Sequence, residues 1–125
     1  GMDVTVVSWG AMIRESLEAA GQLESEGIEC EVVDLATLKP FDSQLVLESV
    51  GRTGRCVIVQ EASLTGGFAS EVAATIAEEG LMNLLAPVKR VAGYDTVVPL
   101  ARLEGRYMPS TARIVDAVRE VMEYS

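Results

Sequence analysis

The chain has 125 residues, which suits one compact domain with one core. Its 19 acidic residues outnumber 10 basic ones, for a net charge of -9, the wrong sign for displacing counterions from nucleic-acid phosphates. Hydrophobic residues make up 49% of the chain, but histidine is absent, and with it go the commonest general base near neutral pH and the usual His-containing metal and triad sets.

Residues 3–9 (DVTVVSW) are rich in β-formers and read as a strand, with Gly10 as a tight exit. From 11 to 26 the pattern is helical: Ile13, Leu17, Ala20 and Leu23 or Glu24 recur at i, i+4, i+7 spacing, and Gly27 supplies the stop. Residues 29–35 (ECEVVDL) form a second strand. Pro40 bars helix continuation, and Asp42 can cap a short helix over 43–50. The run 55–60 (RCVIVQ) has four consecutive apolar residues, as in a strand covered on both faces.

A loop at 61–67 (EASLTGG) then opens a helix over 68–79, with Ala69, Val72, Ala73 and Ile76 as its apolar face and Gly80 at its end. A further strand follows at 88–92, after Pro87. Residues 93–109 read as irregular, and Ser110 caps a last helix whose buried stripe is Ile114, Val118, Val121 and Met122. Strands alternating with helices imply a mostly parallel sheet between helix layers, joined by right-handed crossovers. Residues 2–125 form one domain, and Gly1 ahead of Met2 reads as a tag remnant.

No run approaches the roughly 18 apolar residues of a membrane helix, and residues 1–20 lack the features of a secretory signal. Cys30 and Cys56, each in a strand-like apolar run, are expected to be free and buried in a reducing cytoplasm. Chemistry is sparse. Ligands of open α/β sheets gather at the carboxyl ends of strands, which singles out Glu61, Thr65, Gly66, Gly67 and Phe68. The glycine pair lacks the spacing of a dinucleotide fingerprint or phosphate loop, so it serves either a tight turn or a close approach by a ligand or partner. Glu61 can fix that turn or act as a base, yet no nucleophile or second acid neighbours it. Ser8, Ser63 and Ser70 have no histidine to activate them and sit in no nucleophile elbow. The apolar segment 81–86 with Tyr94, Val97 and Val98 either fills core or forms a subunit interface, rimmed by Arg102, Glu104, Arg106 and Tyr107.

Several segments occur together and in order: 3–10 (DVTVVSWG), 34–42 (DLATLKPFD), 61–71 (EASLTGGFASE), 86–91 (APVKRV) and 93–96 (GYDT) with Pro99. The chain thereby resembles the C-terminal domain of the β subunit of pyruvate and branched-chain 2-oxo acid dehydrogenases, within the transketolase C-terminal domain family. The resemblance implies a three-layer α/β/α sandwich with a five-stranded, mostly parallel sheet. It implies a parent α2β2 enzyme that decarboxylates a 2-oxo acid and acylates lipoyl groups, using thiamine diphosphate and magnesium. In that family the cofactor lies between the α subunit and the β N-terminal domain, and this chain has no Gly-Asp-Gly segment with a following asparagine. The domain is therefore expected to bind no cofactor or metal, to hold no catalytic residue and to be inactive alone.

Its expected work is assembly with the α subunit, the second β subunit and the β N-terminal domain, and docking of the basic binding domain of the lipoyl acyltransferase. Glu120 and Glu123 on the last helix suit that basic partner. Tyr94, Asp95, Pro99 and Leu100 join the loop residues as interface or ligand candidates, Leu100 replacing the aromatic residue or histidine of many relatives. The alternative is a free-standing module that binds a small anion at 61–68.

Overall fold

The structure, a computed structural model, describes residues 3–8, 12–35, 43–59, 68–80, 82, 84–91 and 111–123. Among the described residues, four strands and four helices alternate: β1 (Val4–Ser8), α1 (Ile13–Glu24), β2 (Cys30–Asp34), α2 (Ser43–Thr53), β3 (Cys56–Val59), α3 (Phe68–Gly80), β4 (Lys89–Val91) and, last, α4 (Thr111–Glu123). All strand pairings are parallel, in the order β2-β1-β3-β4, with Val6 opposite both Val32 and Val57, and Ile58 opposite Arg90. A fifth strand is not among the described residues. The expected caps Asp42 and Ser110, the stretch 93–109 and the polar rim Arg102, Glu104, Arg106 and Tyr107 also lie outside them.

Strand alternation splits the core into two layers. Val4, Val6, Val57, Val59 and Val91 pack with Met12, Ala19 and Leu23 by α1 and with Ile114, Val115, Val118 and Val121 of α4. Val7, Val33, Cys56 and Ile58 pack on the other side with Val46 and Val50 of α2 and Val72 and Ile76 of α3. This distribution follows from one handedness for every crossover. The step from β1 to β2 runs opposite to the steps from β2 to β3 and β3 to β4, so α1 must cover one face and α2 with α3 the other. β3 is fully buried along its length, as its apolar run predicts.

In α1 the buried stripe differs from the one read in the sequence. Met12, Ser16, Ala19 and Leu23 are 0–1% exposed, whereas Leu17 is 56% exposed and Ile13 and Ala20 are half-buried. Both stripes have helical spacing. The sequence offered Leu23 or Glu24 as the last member of its stripe. Leu23 is buried and Glu24 exposed, and the observed stripe costs only the Ser16 hydroxyl where one ending on Glu24 would desolvate a carboxylate. The helix stops as expected: Gly27 adopts φ 85°, and the Gly27 and Ile28 amides donate to the Glu24 and Leu23 carbonyls.

α2 continues past the expected end at Val50. Gly54, at φ 75°, turns the chain into β3, its amide donating to the Val50 carbonyl at 2.7 Å. In the apolar segment before β4, Leu84 packs into the α2/α3 core and Ala86 is buried in the other, while Met82 and Leu85 are exposed. The Leu85 amide donates to the Gly54 carbonyl at 2.7 Å, tying this segment to the start of β3.

Candidate functional site

Adjacent strands β1 and β3 leave the sheet in opposite directions, β1 toward β2 and β3 toward β4. Their carboxyl ends therefore flank a topological switch point, where open α/β sheets receive ligands. Ser8 and Val59 end the two strands and are fully buried. Phe68, a predicted site residue, is the first residue of α3. The other predicted residues, Glu61, Thr65, Gly66, Gly67, Tyr94, Asp95, Pro99 and Leu100, lie outside the described residues.

The described groups near this end, and the two cysteines at the opposite, amino ends of β2 and β3, are poor catalysts. Ser8 and Ser16 bury hydroxyl oxygens, and Glu15 buries Oε2, without a hydrogen-bond partner among the described residues. α1 opens at Met12, which has no side-chain acceptor for the helix amides. Cys56 is completely buried, and burial pushes its thiol up to about 12. Cys30 is pushed to about 11, first by burial and then by the Asp3 carboxylate. Both thiols stay protonated near neutral pH, and both are free, as the sequence suggested, but only Cys56 is buried as expected while Cys30 is half-buried.

A polar cluster that sequence reasoning missed lies between the sheet and α2. Thr5 of β1, with Ser49 and Thr53 of α2, is at most 5% exposed. Thr5 Oγ1 sits 2.7 Å from Ser49 Oγ and 2.8 Å from Thr53 Oγ1, and Ser49 Oγ donates to Glu31 Oε1 of β2 at 2.5 Å. With the Ser49 proton committed to Glu31, Thr5 must donate to Ser49. Thr53 then divides one proton between Thr5 and the Arg55 carbonyl, 2.9 Å away. Three protons serve four contacts.

Arg52 also donates to Glu31 Oε1, at 2.7 Å. The Ser49 hydroxyl first, then the Arg52 guanidinium, hold the Glu31 carboxyl below its ordinary range. The available signal was polar residues at i, i+4 (Ser49 and Thr53) on the same helix as buried Val46 and Val50, together with Thr5 inside an otherwise apolar strand. Such a cluster fixes the seat of α2 on β1 and β2.

The outer face of the α1/α4 layer is held by surface ions. Arg119 of α4 grips Glu26 through two nitrogens, Nε at 3.1 Å, which lowers the Glu26 pKa. Thr111 donates to Glu18 at 3.0 Å, and Lys89 pairs with Glu120 at 3.2 Å. A shallow pocket of about 280 Å³ lies between β4 and α4, lined by Lys89, Arg90, Val91, Arg113, Asp116, Ala117 and Glu120. Among the described residues, no three His, Cys, Asp or Glu side chains gather closely enough to hold a metal ion. No described helix is long and apolar enough to cross a membrane.

Comparison with known proteins agrees with this arrangement. The Arabidopsis thaliana 2-oxoisovalerate dehydrogenase subunit beta 2, mitochondrial, is 48% identical over 124 residues. The Bacillus subtilis pyruvate dehydrogenase E1 component subunit beta is 42% identical over 124 residues. Each alignment covers 99% of this chain but only 34% and 38% of those relatives, so the chain spans a little over a third of their length. A solved structure described as a split gene transketolase, an inactive beta4 tetramer, matches with a TM-score of 0.84 at 41% identity. It covers 99% of this chain and 39% of its own. A 2-oxoglutarate:ferredoxin oxidoreductase from Magnetococcus marinus, 16% identical with a TM-score of 0.66, shares the fold. The profile of the transketolase, C-terminal domain family matches residues 1–114, and this chain belongs to that family.

Proposed function

We propose that this chain is the C-terminal domain of the β subunit of a thiamine-diphosphate-dependent 2-oxo acid dehydrogenase, and that it works in assembly and docking rather than in chemistry. The observation that carries this reading is identity of 48% and 42%, along essentially the whole chain, to subunits named as β components of 2-oxoisovalerate and pyruvate dehydrogenases. The absence of histidine and the two protonated thiols support the non-catalytic half of it. In the parent enzyme thiamine diphosphate and magnesium supply the decarboxylation chemistry. The described carboxylates here form no cluster that would fit a magnesium diphosphate, so no step of the reaction is assigned to this chain.

The partners in this reading are the α subunit, a second β subunit and the β N-terminal domain, with the basic binding domain of the lipoyl acyltransferase as a docking partner. Exposed Asp116, Glu120 and Glu123 on α4 support that last contact through charge complementarity. The free thiols favour a reducing compartment such as a bacterial cytoplasm. A free-standing anion-binding module gains no support from relatives named as dehydrogenase subunits.

Two assays on purified chain test the proposal. Decarboxylation of pyruvate and of 3-methyl-2-oxobutanoate by the chain alone is expected to be nil. Light-scattering masses are expected to rise on mixing with an α subunit and the remainder of β. Turnover by the chain alone, or indifference to every partner, refutes it.

A further inference from the structure

The outer side of α1, turned away from the core stripe, carries Arg14, Leu17, Gly21 and Glu24 in line at three- and four-residue spacing. All four are exposed; the Leu17 residue is 56% exposed and the Arg14 side chain 84%. A Cβ placed on Gly21 would meet nothing within 4 Å. The glycine is therefore not required by packing within this chain, although a helix-interior glycine is roughly 0.5–1 kcal/mol worse than alanine. Leu17 likewise stands off the core that its predicted phase assigned it to. Arg14 has a weak partner in Glu18 at 3.7 Å, and Glu18 already accepts a hydrogen bond from Thr111 of α4.

The order of these residues is self-complementary. Two copies of α1 laid antiparallel about a twofold axis between Leu17 and Gly21 bring residue pairs whose numbers sum to 38 together. Leu17 then faces the partner subunit's Gly21, and Arg14 faces the partner subunit's Glu24, each contact occurring twice. A side chain over a glycine is the knob-and-gap fit that lets helix axes approach to about 8 Å, and the end charges match in sign. A parallel pairing would instead stack like on like: arginine on arginine, glutamate on glutamate.

We propose that this stripe of α1 is an isologous contact between two copies of the chain, with Leu17 seated over the partner subunit's Gly21 and two Arg14–Glu24 ion pairs at its ends. This rests on the assembly reading above and names a surface for it. One helix pair buries less than the roughly 1,000 Å² expected of a specific free-standing interface. The chain alone is therefore a weak dimer, with Kd on the order of 0.1–1 mM, and the contact adds to others in the full assembly.

Sedimentation equilibrium of the chain up to about 1 mM tests this, with circular dichroism confirming that each variant is folded. Arg14→Glu and Glu24→Arg should each weaken the dimer about tenfold or more, and the double reversal should restore it to within about threefold of the starting Kd. Gly21→Leu, which fills the gap, should abolish dimerisation. A dimer indifferent to all four variants overturns the surface and leaves the assembly reading standing. A chain that stays monomeric alone yet binds an α subunit does the same. A chain that is monomeric alone and with every partner overturns both.

Discussion

Replacing Ser49 by alanine separates the contributions within the buried polar cluster. The change removes a hydrogen bond to the Glu31 carboxylate at 2.5 Å and one with Thr5 at 2.7 Å. Bonds to charged groups contribute about 1.5–3 kcal/mol and neutral ones about 1. Alanine returns about 0.5 kcal/mol of helix propensity within α2. Glu31 keeps Arg52, and its side chain remains 29% exposed, so water compensates part of the loss. Thr5 can turn its proton to Thr53. The expected net destabilisation is about 2 kcal/mol near neutral pH, read from urea unfolding followed by circular dichroism.

The dependence on pH sharpens this test. The Ser49 hydroxyl is the largest cause of the lowered Glu31 pKa. A depressed carboxylate contributes stability that is complete above its unfolded value, near 4.5, and disappears as pH falls through the folded value. The gap between Ser49→Ala and the parent should therefore be largest near neutral pH and shrink as pH drops below 4.5. A penalty under about 0.5 kcal/mol, or one that is constant or grows in acid, refutes the assignment of the Ser49 proton to Glu31.

Other expectations are simpler. Gly27→Ala should cost about 1 kcal/mol in thermal unfolding, because φ 85° crowds an added Cβ; an unchanged melting temperature would contradict that conformation. Ile58→Ala, at a fully buried position of β3, should cost about 3 kcal/mol by cavity formation, measured by urea unfolding. Neither Cys30 nor Cys56 should react with an aromatic disulfide reagent at about pH 8 until guanidinium unfolds the chain, since burial keeps both as thiols. Prompt labelling of Cys56 in the native protein would be incompatible with its place in the core.

Much of the architecture was legible in the sequence because it follows from pattern. The VIV run of β3 needed cover on both faces, and Gly27 needed a left-handed backbone; each shows in composition alone. The phase of α1 was not legible. Two apolar stripes compete at the same spacing, and the last position stood open between Leu23 and Glu24; burying Leu23 rather than the Glu24 carboxylate favours the observed phase. The Thr5, Ser49 and Thr53 cluster was also invisible, since its members sit 44 and 48 residues from Thr5 and meet only once α2 docks. The end of α2 was read at Val50, but the helix runs on to Thr53 and Gly54 takes the positive φ. Of the candidate site, only Phe68 falls in a described element, and its place at the start of α3 agrees with the helix start read from the loop before it.

The sheet divides the interior into two compartments that share only its strands. A trimmed side chain in one, such as Ile76→Val, and one in the other, such as Val118→Ala, should perturb stability independently, adding within about 0.5 kcal/mol. Selection can then act on the two helix layers as separate modules. One can drift to suit a changing neighbour while the other keeps the domain's melting point, which gives a scaffold shared among differently assembled enzymes room to diversify on one side at a time.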